Sequence, residues 1–170
     1  MSAFELLAVV VFFLIGYWIV DFFWPKKKRI TVHVTRRFGM APERVFDAWL
    51  DPQLAGKWLF ATPRGEMVRV EIDARVGGRF IFVDRRDGED VEHTGEYLEI
   101  DRPRRLVFTF LVPKFSKECS RVTVEVLPFT TGCDVVLTHK NVLLEYANRT
   151  EAGWIEILDG LSAALGQSTQ

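Results

Sequence analysis

The sequence predicts an α+β domain in which a curved, seven-stranded antiparallel sheet wraps around a long C-terminal helix, preceded by one N-terminal transmembrane helix. Three features support this interpretation: an uncharged apolar run near the N-terminus, a series of alternating segments separated by turn residues, and an apolar stripe with helical spacing near the C-terminus. With 170 residues, the chain can form one globular core and an appendage, but not two independent cores.

The N-terminal segment is predicted to cross a membrane. Residues 6–20 contain no charge, and Phe22 to Trp24 extend the apolar run past Asp21. At 1.5 Å per residue, a helix over 6–24 is roughly 28 Å long, close to the bilayer hydrocarbon thickness of about 30 Å. The alternatives are a cleaved signal peptide, a buried helix and a membrane-surface helix. A signal peptide needs a basic start and a small-residue cleavage site, a buried helix needs a larger protein around it, and a surface helix needs a polar face.

Four basic residues follow this segment: Lys26, Lys27, Lys28 and Arg29. Such a cluster stays on the cytoplasmic side, so we expect a single-pass protein of the cell membrane with its N-terminus outside and the globular domain in the cytoplasm. The chain then divides into an anchor (1–25, contacting the bilayer through 3–24), a basic juxtamembrane linker (26–29), a globular domain (30–166) and a disordered tail (167–170).

The globular domain begins with a strand over 30–37, where apolar and polar residues alternate. A helix opens at Pro42, because proline suits the first helical position, and it ends at Asp51. A second short helix is predicted over 52–57.

Six further strands are expected between turn residues, over 68–74, 78–84, 91–100, 106–113, 120–127 and 133–139. The last element is a helix over 143–165. Its apolar stripe recurs at intervals of 4, 3 and 4 residues: Trp154, Leu158, Leu161 and Leu165.

The alternation along each strand assigns the two faces of the sheet. Ile81 and Val83 are predicted to face outward. The residues predicted to face the helix are Phe80, Phe82, Leu106, Phe108, Phe110, Val122, Val124, Val126, Val135, Leu137 and His139. A sheet with one apolar face cannot leave that face in water, and the C-terminal helix supplies the matching surface.

Charge and cysteine content exclude several function classes. The 22 Lys and Arg residues nearly balance the 23 Asp and Glu residues, so no basic field is available for nucleic acid. No Cys/His cluster has the spacing of a zinc site, and we expect neither a metal nor a cofactor. If the last hairpin turns at 128–131, opposing positions sum to about 259, which places Cys133 near Val126 and away from Cys119. Both cysteines are therefore expected to be free thiols.

Five sets of residues in order along the chain form a recognisable pattern: Thr35–Phe38 with Pro42–Trp49, Gly77–Phe82, Gly95–Ile100, Arg105–Phe110, and Leu137–His139 ahead of Gly153-Trp154. They resemble the family of activator-of-heat-shock-protein-ATPase homologues, within the START-like (SRPBCC) superfamily, over residues 30 to 165. The resemblance implies a helix-grip fold with a hydrophobic cavity between sheet and helix, and no conserved catalytic triad. Its members include co-chaperone domains, ligand carriers, and cyclase- and hydratase-like proteins. Leu59 and Lys140-Asn141 depart from the family pattern, which also lacks the membrane segment.

Nine residues are candidates for lining that cavity: Trp49, Trp58, Phe80, Phe82, Tyr97, Phe108, Phe110, His139 and Trp154. Large rings facing one space form either a lined pocket or a solid core, and both interpretations are open at this level. His139 is the strongest titratable candidate, with a hydrogen-bonded structural histidine as the alternative, and His93 and His33 are weaker ones.

We therefore expect a membrane-anchored cytoplasmic domain that binds a small hydrophobic molecule or lipid between the sheet and the C-terminal helix. The alternative is a protein-interaction module of the co-chaperone type, whose partner is a chaperone or another protein. The third hypothesis is a cyclase- or hydratase-like enzyme that uses His139 or Tyr97. No catalytic constellation is evident in the sequence, which favours binding over catalysis.

Overall fold

Seven strands and three helices make up the part of the chain, residues 27–167, that the computed structural model describes. They are β1 (Arg29–Phe38), α1 (Pro42–Asp47), α2 (Pro52–Ala55), β2 (Glu66–Ile72), β3 (Arg79–Arg86), β4 (Glu89–Asp101), β5 (Arg105–Phe110), β6 (Ser120–Phe129), β7 (Gly132–Leu143) and α3 (Ala147–Gln167). A 3₁₀ turn, Leu144–Tyr146, joins β7 to α3. The order of elements predicted for the globular domain is confirmed.

The predicted anchor over 1–25, the first linker residue Lys26 and the last three residues lie outside the described part of the chain. Within residues 27–167, no helix combines the length and apolar character needed to cross a membrane.

One antiparallel sheet contains all seven strands, in the order β1-β7-β6-β5-β4-β3-β2. The first strand therefore closes against the last one, and β2 forms the far edge. The predicted inner face is buried along β3, β5, β6 and β7, apart from Phe110, which is half-buried. The predicted stripe on α3 is buried against it, so helix and sheet cover each other's apolar surfaces.

The two short helices begin where proline predicts. Pro42 and Pro52 each occupy a first-turn position, and the Asp51 side chain accepts a hydrogen bond from the Gln53 N–H at 2.9 Å. The helix predicted over 52–57 is shorter than expected and ends at Ala55. Residues 56–58 form turns and bring Trp58 into edge-on contact with Trp49, with 4.8 Å between the ring centroids.

The boundary between β7 and the C-terminal helix differs from the prediction. The strand continues past His139 to Leu143, because its last residues pair with the start of β1, Arg29 opposite Leu143. The helix consequently begins at Ala147, four residues later than predicted. Between the pairs Ile30–Val142 and Val32–His139, β7 has two residues where β1 has one. Asn141, one of these two residues, adopts a positive φ of 72°. Such a bulge changes the direction of the strand end.

Two further expectations need correction. Val83, predicted to be exposed, is buried at 8% exposure. Its cross-strand neighbours are Arg69 and Glu92. Both neighbours have side chains long enough to lie along the sheet surface beside Val83.

The register of the last hairpin is displaced by two residues from the prediction. Val126 lies opposite Val135, and Cys133 lies opposite Pro128. A displacement of two residues preserves the face of every side chain, so the inner-face assignment remains correct. The prediction that Cys119 and Cys133 are free is confirmed, with Cys119 exposed and Cys133 buried.

Gly95 should be the most sensitive glycine in the sheet. A Cβ atom at this position would overlap the carbonyl oxygen of Thr109 and lie 2.6 Å from the Phe80 ring. We expect Gly95→Ala to lower the free energy of unfolding by about 2 to 3 kcal/mol, because the strands must separate to admit the methyl group. Gly39→Ala is the matched control, since nothing lies within 4 Å of its added Cβ. Urea denaturation of both variants tests this, and equal midpoints would contradict it.

Candidate functional site

A pocket of about 570 Å³ opens at the end of the domain where β7 finishes and α3 begins. Four segments enclose it: residues 60–62 after α2, residues 110–118 after β5, the end of β7, and the first three turns of α3. A volume of this size lies within the range of small-molecule sites.

Aromatic rings form the floor of the pocket, with Phe60 at their centre. The Phe60 ring stacks on His93 at 4.7 Å and on Phe110 at 5.2 Å, and it meets Trp154 edge-on at 5.9 Å. The backbone of Phe60 has a positive φ of 61°, which is uncommon for a bulky residue. The surrounding contacts therefore hold this ring in a conformation that it would not adopt alone.

A buried carboxylate fixes the segment that carries Phe60. Asp84, 1% exposed, accepts hydrogen bonds from the Thr62 hydroxyl at 2.7 Å and from Arg86 Nε at 2.6 Å. Arg86 also donates to the Phe60 carbonyl at 3.3 Å. Strand β3 thereby anchors residues 60–62. Both hydrogen bonds and the ion pair with Arg86 engage Oδ2 of Asp84, while Oδ1 is buried with no partner in the described residues, so only part of the solvation lost on burial is replaced.

One face of α3 forms the opposite wall. Thr150, Gly153, Trp154 and Ile157 recur at intervals of three and four residues and line the pocket. A Cβ atom added to Gly153 would have no neighbour within 4 Å. This glycine therefore leaves space in the wall that any larger residue would fill.

His139 lies at the junction of the sheet and α3 in a chain of hydrogen bonds. Its Nδ1 accepts from the indole N–H of Trp154 at 2.9 Å, and its Nε2 lies 2.6 Å from the Ser120 hydroxyl. The indole can only donate, so the neutral imidazole carries its proton on Nε2 and donates it to Ser120. Ser120 in turn donates to the Phe110 carbonyl at 3.0 Å.

This arrangement is opposite to that of a serine nucleophile and its base. A base would need a free lone pair on the nitrogen facing the hydroxyl, and an acceptor holding the proton of the other nitrogen. Burial lowers the pKa of His139 to about 4, so the ring is neutral at physiological pH. The hydrogen bonds of His139 with Ser120 and Trp154 join β6, β7 and α3 at the pocket wall. His139 therefore has the properties of a structural histidine.

His93 is the second buried histidine of the site. It lies opposite Phe82 on the inner face of β4, and its Nδ1 has no hydrogen-bond partner in the described part of the chain. Burial, assisted by the nearby charge of Arg86, lowers the pKa of His93 to about 4. The ring is therefore an uncharged aromatic wall with a polar edge.

Three of the nine predicted cavity residues line the pocket: Phe110, His139 and Trp154. The other six belong to the packed core beneath it: Trp49, Trp58, Phe80, Phe82, Tyr97 and Phe108. Burial in that core raises the pKa of the Tyr97 hydroxyl. The indole N–H groups of Trp49 and Trp58 are buried with no acceptor in the described residues, which costs free energy that the apolar packing of the two rings offsets.

Sequence reasoning omitted Phe60 and placed His93 among the weaker candidates. Strand alternation could have located His93, because it shares its face of β4 with the buried residues Val91 and Tyr97. Phe60 gives no such signal, since it lies in an irregular segment whose position depends on the buried Asp84.

The basic residues near the start of the described chain lie at the rim of this pocket. Arg29 lines the mouth and pairs with Glu118, and Lys27 pairs with Glu145 at 3.2 Å. Lys28 is exposed beside them. Over residues 27–167, no group of three or more His, Cys, Asp or Glu side chains is placed to hold a metal ion.

A curved sheet that grips a C-terminal helix, with a pocket between the two, defines a START-like helix-grip domain. The family profile described as "Activator of Hsp90 ATPase homolog 1-like protein" matches residues 40–166. The chain belongs to this family, as its motifs indicate. Among curated protein sequences, none matches this chain.

Solved structures share the fold across almost their whole length. Protein CV1439 from Chromobacterium violaceum is 26% identical, with a TM-score of 0.73, and the match covers 79% of this chain and 96% of that one. Protein SA2116 from Staphylococcus aureus, described as of unknown function, is 20% identical with a TM-score of 0.76, over 84% and 97% of the two chains. An AHSA1-like protein from Aeromonas hydrophila is 22% identical with a TM-score of 0.70, over 82% and 94%.

The two buried histidines should make stability depend on pH. Each has an ordinary pKa of 6.5 and a folded-state pKa of about 4, so between these values the unfolded chain binds more protons. Their stabilising contribution is complete above pH 6.5 and is lost as the pH falls toward 4. Each histidine accounts for a loss on the order of 3 kcal/mol.

His93→Phe isolates one of these two contributions while keeping an aromatic ring against Phe60. We expect the difference in unfolding free energy between pH 7 and pH 4.5 to shrink by about 2 to 3 kcal/mol in this variant. Urea denaturation at the two pH values measures it. An unchanged difference would show that His93 is protonated in the folded state or is not buried.

Proposed function

We propose that this protein is a membrane-tethered domain that binds a small, largely apolar ligand in the pocket between the sheet and the N-terminal half of α3. The observation that carries the proposal is the combination of an open pocket with an aromatic floor and two neutral, buried histidines. Such a site offers apolar contact and a few polar edges, which is typical of small-molecule recognition.

The charges around the pocket indicate where a polar end of the ligand would bind. Arg29 and Arg86 already have carboxylate partners, whereas Arg149 lies over the Phe115 ring at 5.9 Å and pairs with no carboxylate in the described chain. Arg149 is exposed at the mouth. A ligand with an aromatic or acyl body in the pocket and a polar or anionic end near Arg149 fits this distribution.

The tether supplies the second half of the proposal. Residues 6–24 have the length and composition of a membrane-crossing helix, followed by the basic cluster that begins at Lys26. A domain held beside the bilayer on the cytoplasmic side is close to the phase in which apolar ligands accumulate, which raises their effective concentration.

A second candidate is a co-chaperone-like interaction, which the description of the family suggests. Leu127 and Phe129 are exposed at the other end of the sheet and offer an apolar surface. Stimulation of an Hsp90 ATPase by the full chain, lost in Leu127→Asp, would favour this function.

Gly153→Leu tests ligand binding without disturbing the core. A leucine side chain at this position projects into open space in the pocket wall, and leucine favours the helix more than glycine does. Gly166→Leu is the matched control, because it lies on the same helix, also has no neighbour within 4 Å, and does not line the pocket.

The probe is a fatty acid that carries a photoactivatable diazirine, added to the full chain in detergent. Mass spectrometry should locate its label on residues 110–118 and 146–157 of the wild-type protein and of Gly166→Leu. We expect roughly tenfold less label in Gly153→Leu, equivalent to about 1.4 kcal/mol of lost binding. Equal labelling of all three proteins would contradict a ligand site in this pocket.

A further inference from the structure

The first described residues are attached to the rim of the pocket. The Lys28 carbonyl accepts a hydrogen bond from the Leu144 N–H at 2.9 Å, and Arg29 donates to the Asn141 carbonyl at 3.1 Å. Lys27 pairs with Glu145 at 3.2 Å. These contacts hold the point where the chain enters the domain against the segment that joins β7 to α3.

Few residues separate this point from the apolar segment, which limits how far from a bilayer the rim of the pocket can lie. Trp24, the last residue of that segment, precedes Lys27 by three positions. Three residues span at most about 11 Å, and one headgroup layer of a bilayer is roughly 5 to 8 Å thick. With the segment across a membrane, the rim must lie at the level of the lipid headgroups or just above it.

Large apolar side chains are exposed at this rim. Phe115, Leu144 and Tyr146 have exposed fractions of 59%, 48% and 47%. Phe115 and Tyr146 also line the pocket, so the apolar rim is continuous with its interior. Aromatic and aliphatic residues on one exposed surface are typical of regions that insert into the interfacial layer of a membrane.

The charges at the rim suit an interface without requiring an acidic one. Lys114 lies within 6.0 Å of the Phe115 ring and pairs with Glu89. Lys28, Lys117 and Arg149 have no carboxylate partner in the described chain, while the exposed Glu156 of the pocket wall has no cation partner there. The unpaired charges of these four residues sum to +2, so at a bilayer without net charge apolar insertion and the tether provide the attraction.

We infer that the mouth of the pocket docks on the lipid bilayer through the rim of Phe115, Leu144 and Tyr146, so that the pocket takes its ligand directly from the membrane. This inference rests on the proposed function, and it names the source of the ligand and the partner surface. The opposite end of β1 lies about 30 Å away, since the strand has ten residues, and the hairpin at Thr131 faces away from the membrane.

Two matched substitutions test the inference on the full chain in phosphatidylcholine vesicles. Leu144→Asp places a charge on the rim at a residue outside the pocket, and Leu127→Asp does the same at the far end, where the exposed fraction is 52%. The diazirine fatty acid is incorporated into the vesicles beforehand, and the rate at which the pocket becomes labelled is measured. In a parallel arm, the probe is added to the same proteins in detergent.

Docking predicts that Leu144→Asp labels the pocket roughly tenfold more slowly from vesicles, because a charged rim does not enter the interfacial layer. Its labelling in detergent should be unchanged, and Leu127→Asp should match the wild type in both arms. Equal rates from vesicles for all three proteins would overturn the inference and leave the proposed function intact. Absence of label from the pocket in both arms would instead contradict the proposed function.

A fluorophore on the exposed Cys119 tests docking independently of any ligand. Cys119 follows the rim residue Glu118, and the chain's other cysteine, Cys133, is buried. Lipids with a nitroxide near the headgroup should quench this fluorophore strongly, and Leu144→Asp should reduce the quenching. The same label in a Cys119→Ser, Thr131→Cys double variant should show little quenching. Equal quenching at the two positions would overturn the docked orientation.

Discussion

The mutual burial of the sheet's apolar face and the stripe on α3 is the interaction on which the rest of this structure depends. Leu158, Leu161 and Leu165 are fully buried against the sheet and form the closed half of this contact. Toward the N-terminal end of α3, the pocket opens beside the Trp154–His139 hydrogen bond, and Gly153 contributes no side chain to fill it. The same contact that stabilises the domain therefore also defines where a ligand can enter.

The two histidines in this aromatic surrounding are uncharged, and the buried Asp84 carboxylate is paired with Arg86. Both arrangements suit the low dielectric of the interior. His139 has a hydrogen bond at each nitrogen, and Asp84 holds the irregular segment around Phe60 through Thr62 and Arg86. These interactions keep the walls in position. They supply shape and a few polar edges to a ligand, and the hydrogen-bond direction at His139 argues against base catalysis by this residue.

The topology brings the entry of the chain and the mouth of the pocket together. Because β1 and β7 are antiparallel, the start of β1 lies beside the end of β7, and only three residues separate that end from α3. Any segment attached ahead of Lys27 therefore emerges next to the pocket. The proposed function uses this geometry, because the proposed tether and the mouth of the pocket are then on the same side of the domain.

The sequence by itself determined the order of the elements, the inner face of the sheet and the stripe on α3, because alternation and helical spacing are local properties that survive a two-residue error in register. Only the tertiary structure decided which rings are core and which line the pocket. Phe80 and Phe110 both face inward on their strands, yet Phe80 is buried and Phe110 borders the opening. That difference depends on where α3 leaves the sheet and where Phe60 is held, and both result from contacts between residues far apart in the chain.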